Sequence, residues 1–116
     1  MDVDHAVLAK AAEYIARFGQ HRGEYWPGAT NGKPYRPGLP CCPLGAIAVV
    51  LNPQVPDKRG VTDTKPALLL RNHITNTEEV RSGRRSALVI TLWADHRWRT
   101  TEQVIEAMRA AAGVTP

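Results

Sequence analysis

Long apolar runs are missing from this sequence. The longest, over residues 44–51, includes Gly45 and falls far short of the roughly 20 residues that a membrane helix needs. Cysteine is nearly missing as well, and the two present, Cys41 and Cys42, are adjacent. Neighbouring cysteines close no loop, so they cannot staple a small secreted fold, and they suit a reducing compartment. The chain starts Met-Asp-Val-Asp, without a positive region followed by a hydrophobic one, so no signal peptide is expected and the expected location is cytoplasmic. No glycine-rich phosphate loop, Gly-x-Ser-x-Gly elbow or His-Glu-x-x-His pair occurs. Zinc ligands come in spacings such as Cys-x₂-Cys, whereas here the four histidines are widely separated. These gaps call for no cofactor and no metal, and they lean away from an enzyme.

What remains is ordinary globular composition. Hydrophobic residues make up 43% and charged residues 22% of 116 positions, enough for one buried core and a single domain over 1–116. The net charge of +4 and pI near 9.4 are moderately basic. Eleven of the fifteen basic residues are arginine, a bias that a GC-rich genome also produces, so charge alone does not name a polyanionic partner.

Periodicity predicts a mainly α fold, a small bundle of about four helices. Over residues 4–18, Val7, Leu8, Ala11, Ala12, Ile15 and Phe18 form an amphipathic stripe, with Asp2 or Asp4 as cap and Gly19 as stop. Thr100 and Gln103 read as a capping box for a last helix lined by Val104, Ile105, Met108, Ala111 and Ala112, and ended by Gly113. Residues 43–51 start with Pro43 and are apolar on every side, which suits a buried central helix, although Ile47, Val49 and Val50 also fit a strand. Gly45 there would admit a close neighbour. A connector follows over 53–65, then a short helix over 66–73 capped by Thr64, and a polar stretch over 75–82 in which Asn76 or Thr77 could cap a turn. Another core helix spans 84–95 with Ala87, Leu88, Val89, Ile90, Leu92 and Trp93. The expected core is Val7, Leu8, Ile15, Leu44, Ile47, Val50, Leu88, Leu92, Ile105 and Met108.

Residues 20–40 differ from the rest, with four glycines, four prolines and three large aromatics. The Asn31-Gly32 pair favours a tight hairpin turn between extended arms at 24–29 and 34–37. Pro27 and Pro34 cannot donate to a ladder, so the arm is a short edge hairpin or an irregular one.

Four features then line up in order: the first helix, the Tyr25-Trp26-Pro27-Gly28 segment, Cys42-Pro43-Leu44-Gly45-Ala46, and Trp93-Ala94-Asp95 before the capped last helix. Together they resemble a family of small uncharacterised proteins of actinobacteria and their phages, a domain of unknown function. Its members carry a Cys-Ala-Leu-Gly-Ala motif and a Trp-Asn-Asp motif. Pro43 and Ala94 depart from that pattern, so any polar role of the asparagine is absent. The resemblance implies the fold and the cytoplasmic setting, and no activity.

Three residue groups could carry function. Cys41 and Cys42 lie where a helix N-terminus lowers a thiol pKa, with His5, His21, His73 and His96 as bases to choose from, but cysteines at this place are more often small core residues. Asp95 could orient His96 or simply cap and pair with Arg97 and Arg99. Glu78 and Glu79, near Arg81, read as a solvated surface. Six arginines against three acids lie between Arg71 and Arg99, and Arg81, Arg84 and Arg85 could contact phosphates, yet no exposed base-reading helix follows them. Tyr25, Trp26 and Tyr35 sit among prolines, as anchors of a binding surface or as a lid over the core. The leading expectation is a non-enzymatic binding or regulatory protein that acts through a protein partner, with a homodimer as one form. Behind it come a small nucleic-acid-associated protein and a small enzyme or small-molecule-binding protein centred on Cys41 and Cys42.

Overall fold

The computed structural model describes residues 2–77 and 86–114, the side chains of 86–88 excepted. The described residues form five helices, α1 (Val3–Phe18), α2 (Pro43–Leu51), α3 (Lys65–Thr77), α4 (Ser86–Ala94) and α5 (Thr101–Ala111). Two 3₁₀ turns, at Ala29–Asn31 and Gly60–Asp63, lie in the connections. Among these residues there is no strand, and no helix is long and apolar enough to cross a membrane.

The helix ends follow from short-range chemistry. Asp2 caps α1 by accepting the His5 amide at 2.9 Å, and the Gly19 amide closes it on the Ile15 carbonyl. Thr100 and Gln103 exchange both bonds of the capping box that starts α5. α2 is capped by a thiol, since Cys42 Sγ accepts the Gly45 amide at 3.3 Å. Thr64 precedes α3 but caps it only through the main chain. Its carbonyl accepts the Leu68 amide, while its hydroxyl turns back to the Val61 carbonyl at 2.6 Å.

α1 packs against α2 and α5, and α3 packs against α4 and also reaches α1 and α5. Leu8, Ala11, Ala12 and Ile15 of α1 meet Leu44, Ala46, Ile47 and Ala48 of α2 and Val104, Ile105 and Met108 of α5 in one buried cluster. α3 is longer than its polarity suggests. Ile74 is fully buried and anchors the added turn, and the hydroxyls of Thr75 and Thr77 donate to the Asn72 and His73 carbonyls; the turn expected through Glu79 lies outside the described residues.

Two expectations need correction. Leu92 is not core: it is 53% exposed, while Val89, Ile90, Trp93 and Ala94 are buried. An all-apolar helix does not reveal which face turns inward, and residues i, i+1, i+4 and i+5 are the ones that share the inner side here. Val7 and Val50 are half-buried, and the Leu88 side chain lies outside the described residues. Nor do the arms around Asn31-Gly32 form a hairpin. The amides of Asn31 and Lys33 both turn onto the Gly28 carbonyl, with Gly28 and Gly32 in the left-handed region at φ 86° and 77°.

The core assignment gives the first test. Leu44→Ala should cost about 2–5 kcal/mol in chemical denaturation, the usual range for truncating a buried leucine. Leu92→Ala should stay within about 0.5 kcal/mol of wild type, as expected of a surface position.

Candidate functional site

The proline-rich segment holds its shape without a ladder because one carboxylate gathers its donors. Glu24 accepts the Gly28 amide, the Thr30 amide and the Thr30 hydroxyl, and pairs with His21 Nε2 at 3.0 Å. Those bonds, led by the Thr30 and Gly28 amides, hold its carboxyl down at about 2 from an ordinary 4.5. The aromatic residues seal the other side. Trp26 is 3% exposed, its Nε1 donates to the Lys33 carbonyl at 3.0 Å, and Tyr35 meets it edge-on at 5.7 Å. Tyr14 donates its hydroxyl to the Leu39 carbonyl, so the 2.6 Å contact between Tyr14 and Tyr35 takes its proton from Tyr35.

The segment then lies directly on α2. The Cys42 amide donates to the Tyr25 carbonyl at 3.1 Å, and that carbonyl sits where a side chain on residue 45 would be. A Cβ on Gly45 would lie 2.3 Å from it. On the opposite side the segment is strapped to the α4–α5 connector. Gln20 donates to the Ala94 carbonyl and accepts from Thr101, Arg22 donates to the His96 and Arg99 carbonyls, and the Gly23 amide donates to Asp95 Oδ2.

Between these walls is a cleft of about 100 Å³, lined by Gly23, Glu24, Tyr25, Cys42, Pro43, Leu44, Ile90, Thr91, Ala94 and Asp95. Its surface is mostly apolar, and Glu24, Asp95, Cys42 and Tyr25 are the lining residues with ionisable side chains. Asp95 Oδ1 is buried and has no hydrogen-bond partner, a costly condition for a carboxylate oxygen. A more open groove of about 460 Å³ lies elsewhere along Tyr25, beside Lys58 and Arg59, but Lys58 is already committed to the Ala29 carbonyl and the Trp26 ring.

Two opposed effects act on the thiols. Burial raises the Cys42 pKa to about 11; the Gly45 and Leu44 amides of the first turn of α2 oppose it by favouring the thiolate, and the Asp95 carboxylate adds to the rise. Burial pushes Cys41 to about 12, and its Sγ donates to the Leu39 carbonyl. Both cysteines are free. Three of the four histidines are engaged elsewhere: His5 with Asp2, His21 with Glu24, and His96 Nδ1 with the Trp98 amide at 3.3 Å. Asp95 therefore does not orient His96, and among the described residues no three His, Cys, Asp or Glu side chains come together as a metal site would need.

Of the residues singled out in the sequence, Tyr25 and Cys42 line the cleft. Trp26 and Cys41 lie in the core, and Tyr35 packs over Trp26. Arg81, Arg84 and Arg85 lie outside the described residues, as do Glu78 and Glu79. Glu24, Gln20, Arg22 and the carboxylate side of Asp95 escaped the sequence reading. The signal for Glu24 was there: an acid inside a stretch whose prolines cannot pair must meet the amides nearby.

The chain belongs to a family of unknown function (DUF6197), whose model matches residues 2–114. No curated protein and no solved structure matches it.

Three tests follow from this geometry. Gly45→Ala should lose about 1–3 kcal/mol of stability, the cost of forcing a methyl group into a filled space, read from denaturant midpoints. Native protein at pH 7 should alkylate far more slowly with iodoacetamide than denatured protein, because both thiols stay protonated. Glu24 is held below its unfolded value, so it stabilises the fold above pH 4.5, and that contribution fades as pH falls toward 2. Across that window Glu24→Gln should lose stability less steeply than wild type in acid titrations followed by circular dichroism.

Proposed function

We propose that the protein is a non-enzymatic binding protein acting through a protein partner, and that one basic side chain of the partner enters the cleft. The observation that carries this is convergence. Tyr25, Cys42-Pro43-Leu44 and Ala94-Asp95 come from three separate stretches of sequence, each part of a motif behind the family resemblance, and all line one cleft. The same motifs support an actinobacterial or phage origin. The free, unpaired thiols support a cytoplasmic setting.

The size of the cleft favours a side chain over a cofactor. Small-molecule sites usually measure about 300–1,000 Å³, and this one is near 100 Å³. Its apolar walls suit the methylene stem of a lysine or arginine, and the unpartnered Oδ1 of Asp95 suits the charged head. The protonated thiols argue against a nucleophile at the same place.

A photoreactive benzoylphenylalanine in place of Tyr25, introduced in the native host, tests the reading. One discrete cross-linked protein is expected. The adduct should disappear when Thr91→Trp fills the rim, and weaken with Asp95→Asn, while circular dichroism shows both variants folded. Absence of any adduct, or an adduct indifferent to Thr91→Trp, would overturn the proposal.

A further inference from the structure

Tryptophan is divided unequally in this protein. Trp26 and Trp93 are 3% and 5% exposed, whereas Trp98, in the connector between α4 and α5, is 70% exposed. A loose loop could carry such a residue incidentally, but this connector is tied down. Arg22 donates to the carbonyls of His96, at 3.0 Å, and of Arg99. The Arg99 amide donates to the His96 carbonyl at 2.8 Å, and the Trp98 amide to His96 Nδ1 at 3.3 Å. The capping box of α5 fixes the next residues. The indole is thus an exposed ring on a fixed base.

Its surroundings are cationic. The Arg97 guanidinium lies 4.6 Å from the centre of the Trp98 ring, and the Arg22 and Arg99 side chains brace the same turn through the His96, Arg99 and Trp93 carbonyls. Of the two acids nearby in sequence, Asp95 turns one oxygen to the Gly23 amide and buries the other. Glu102, in the first turn of α5, is exposed and opposes the cations. The balance still favours an anion.

We propose that this connector binds single-stranded nucleic acid, with a base stacked on Trp98 and the adjacent phosphate held by Arg97. Anionic backbone and a flat π-face occur together in that polymer, and an aromatic platform inside a cationic surface is how sequence-tolerant single-strand binders work. A duplex hides its base faces in the stack. An acidic peptide would use the cations and leave the indole uncovered. A twofold contact with a second copy would set Arg22, Arg97 and Arg99 against their own equivalents. This inference concerns a different surface from the cleft and rests on none of its residues.

The test uses the whole protein and a twelve-nucleotide oligothymidylate at low salt, read by tryptophan emission. Since the other two indoles are buried, quenching reports on Trp98. Saturable quenching is expected, with affinity falling as salt rises by a log–log slope of about −0.7 per phosphate contacted. Trp98→Ala should weaken binding, followed by anisotropy of labelled oligonucleotide, by about tenfold or more, within the range for loss of one stacked base. Trp98→Phe should retain part of it. Arg97→Gln should weaken binding and flatten the salt slope by about 0.7. Substituting Arg81, Arg84 and Arg85 together by alanine should leave the quenching in place. The proposal falls if wild type shows no quenching, if Trp98→Ala binds as well as wild type, or if the triple variant abolishes binding. It also falls if duplex DNA, polyglutamate or anionic phosphatidylglycerol vesicles quench Trp98 at least as well as the single strand.

Discussion

The carboxylate of Glu24 takes the place of a β-ladder. The stretch between α1 and α2 contains four prolines, so regular pairing is denied to it, yet its amides still need acceptors. Glu24 accepts two amides and a hydroxyl, and its own position is braced by His21. With that centre in place, Trp26 can turn inward and the Tyr25 carbonyl can reach the amide that opens α2. The cleft exists because Tyr25 is held at that distance from α2 and no closer. Gly45 sets the distance from the other side, since its missing side chain is the space that the carbonyl fills.

Cys42 shows how one position can serve local structure at the expense of reactivity. Its sulfur caps α2, a task usually done by a hydroxyl or carboxylate. A cap needs an acceptor, and a helix start favours the thiolate, so the geometry by itself points to an activated nucleophile. Burial beside an uncompensated carboxylate reverses that outcome. Electrostatic position and solvation pull in opposite directions, and the second is the stronger.

How much of this was legible in the sequence depends on the range of the interactions. The α1 stripe, the Thr100–Gln103 box, Pro43 at the start of α2 and the close approach at Gly45 are set by residues a few positions apart, and they can be read directly. Leu92 was misassigned because α4 is apolar all round, so only its tertiary neighbours decide its inner face. Of the two forms open to the arm, hairpin or irregular, the structure has the irregular one for a related reason. Asn31-Gly32 does favour a turn, but Glu24 offered the amides of that region a better acceptor than an edge strand with prolines. Of the candidate site, Tyr25 and Cys42 stood out in the sequence, while Asp95 was noticed for its neighbour His96 and in fact faces Gly23. The Trp98 platform went unnoticed because exposure cannot be seen in composition.

The straps between the 20–24 region and the α4–α5 connector join residues more than seventy positions apart, from Gln20 with Ala94 to Arg22 with Arg99. Contacts of that span close long loops, and such non-local pairings reward the chain only after the closure entropy has been met. During folding, α1 and α2 can dock early, but the cleft has just one wall until α4 and the connector arrive. The same order holds in reverse, since local opening would release this connector before the α1–α2 core. The cleft is complete only when α2, α4 and the 20–24 region have all docked, so a partner of the kind proposed would meet it only in finished molecules.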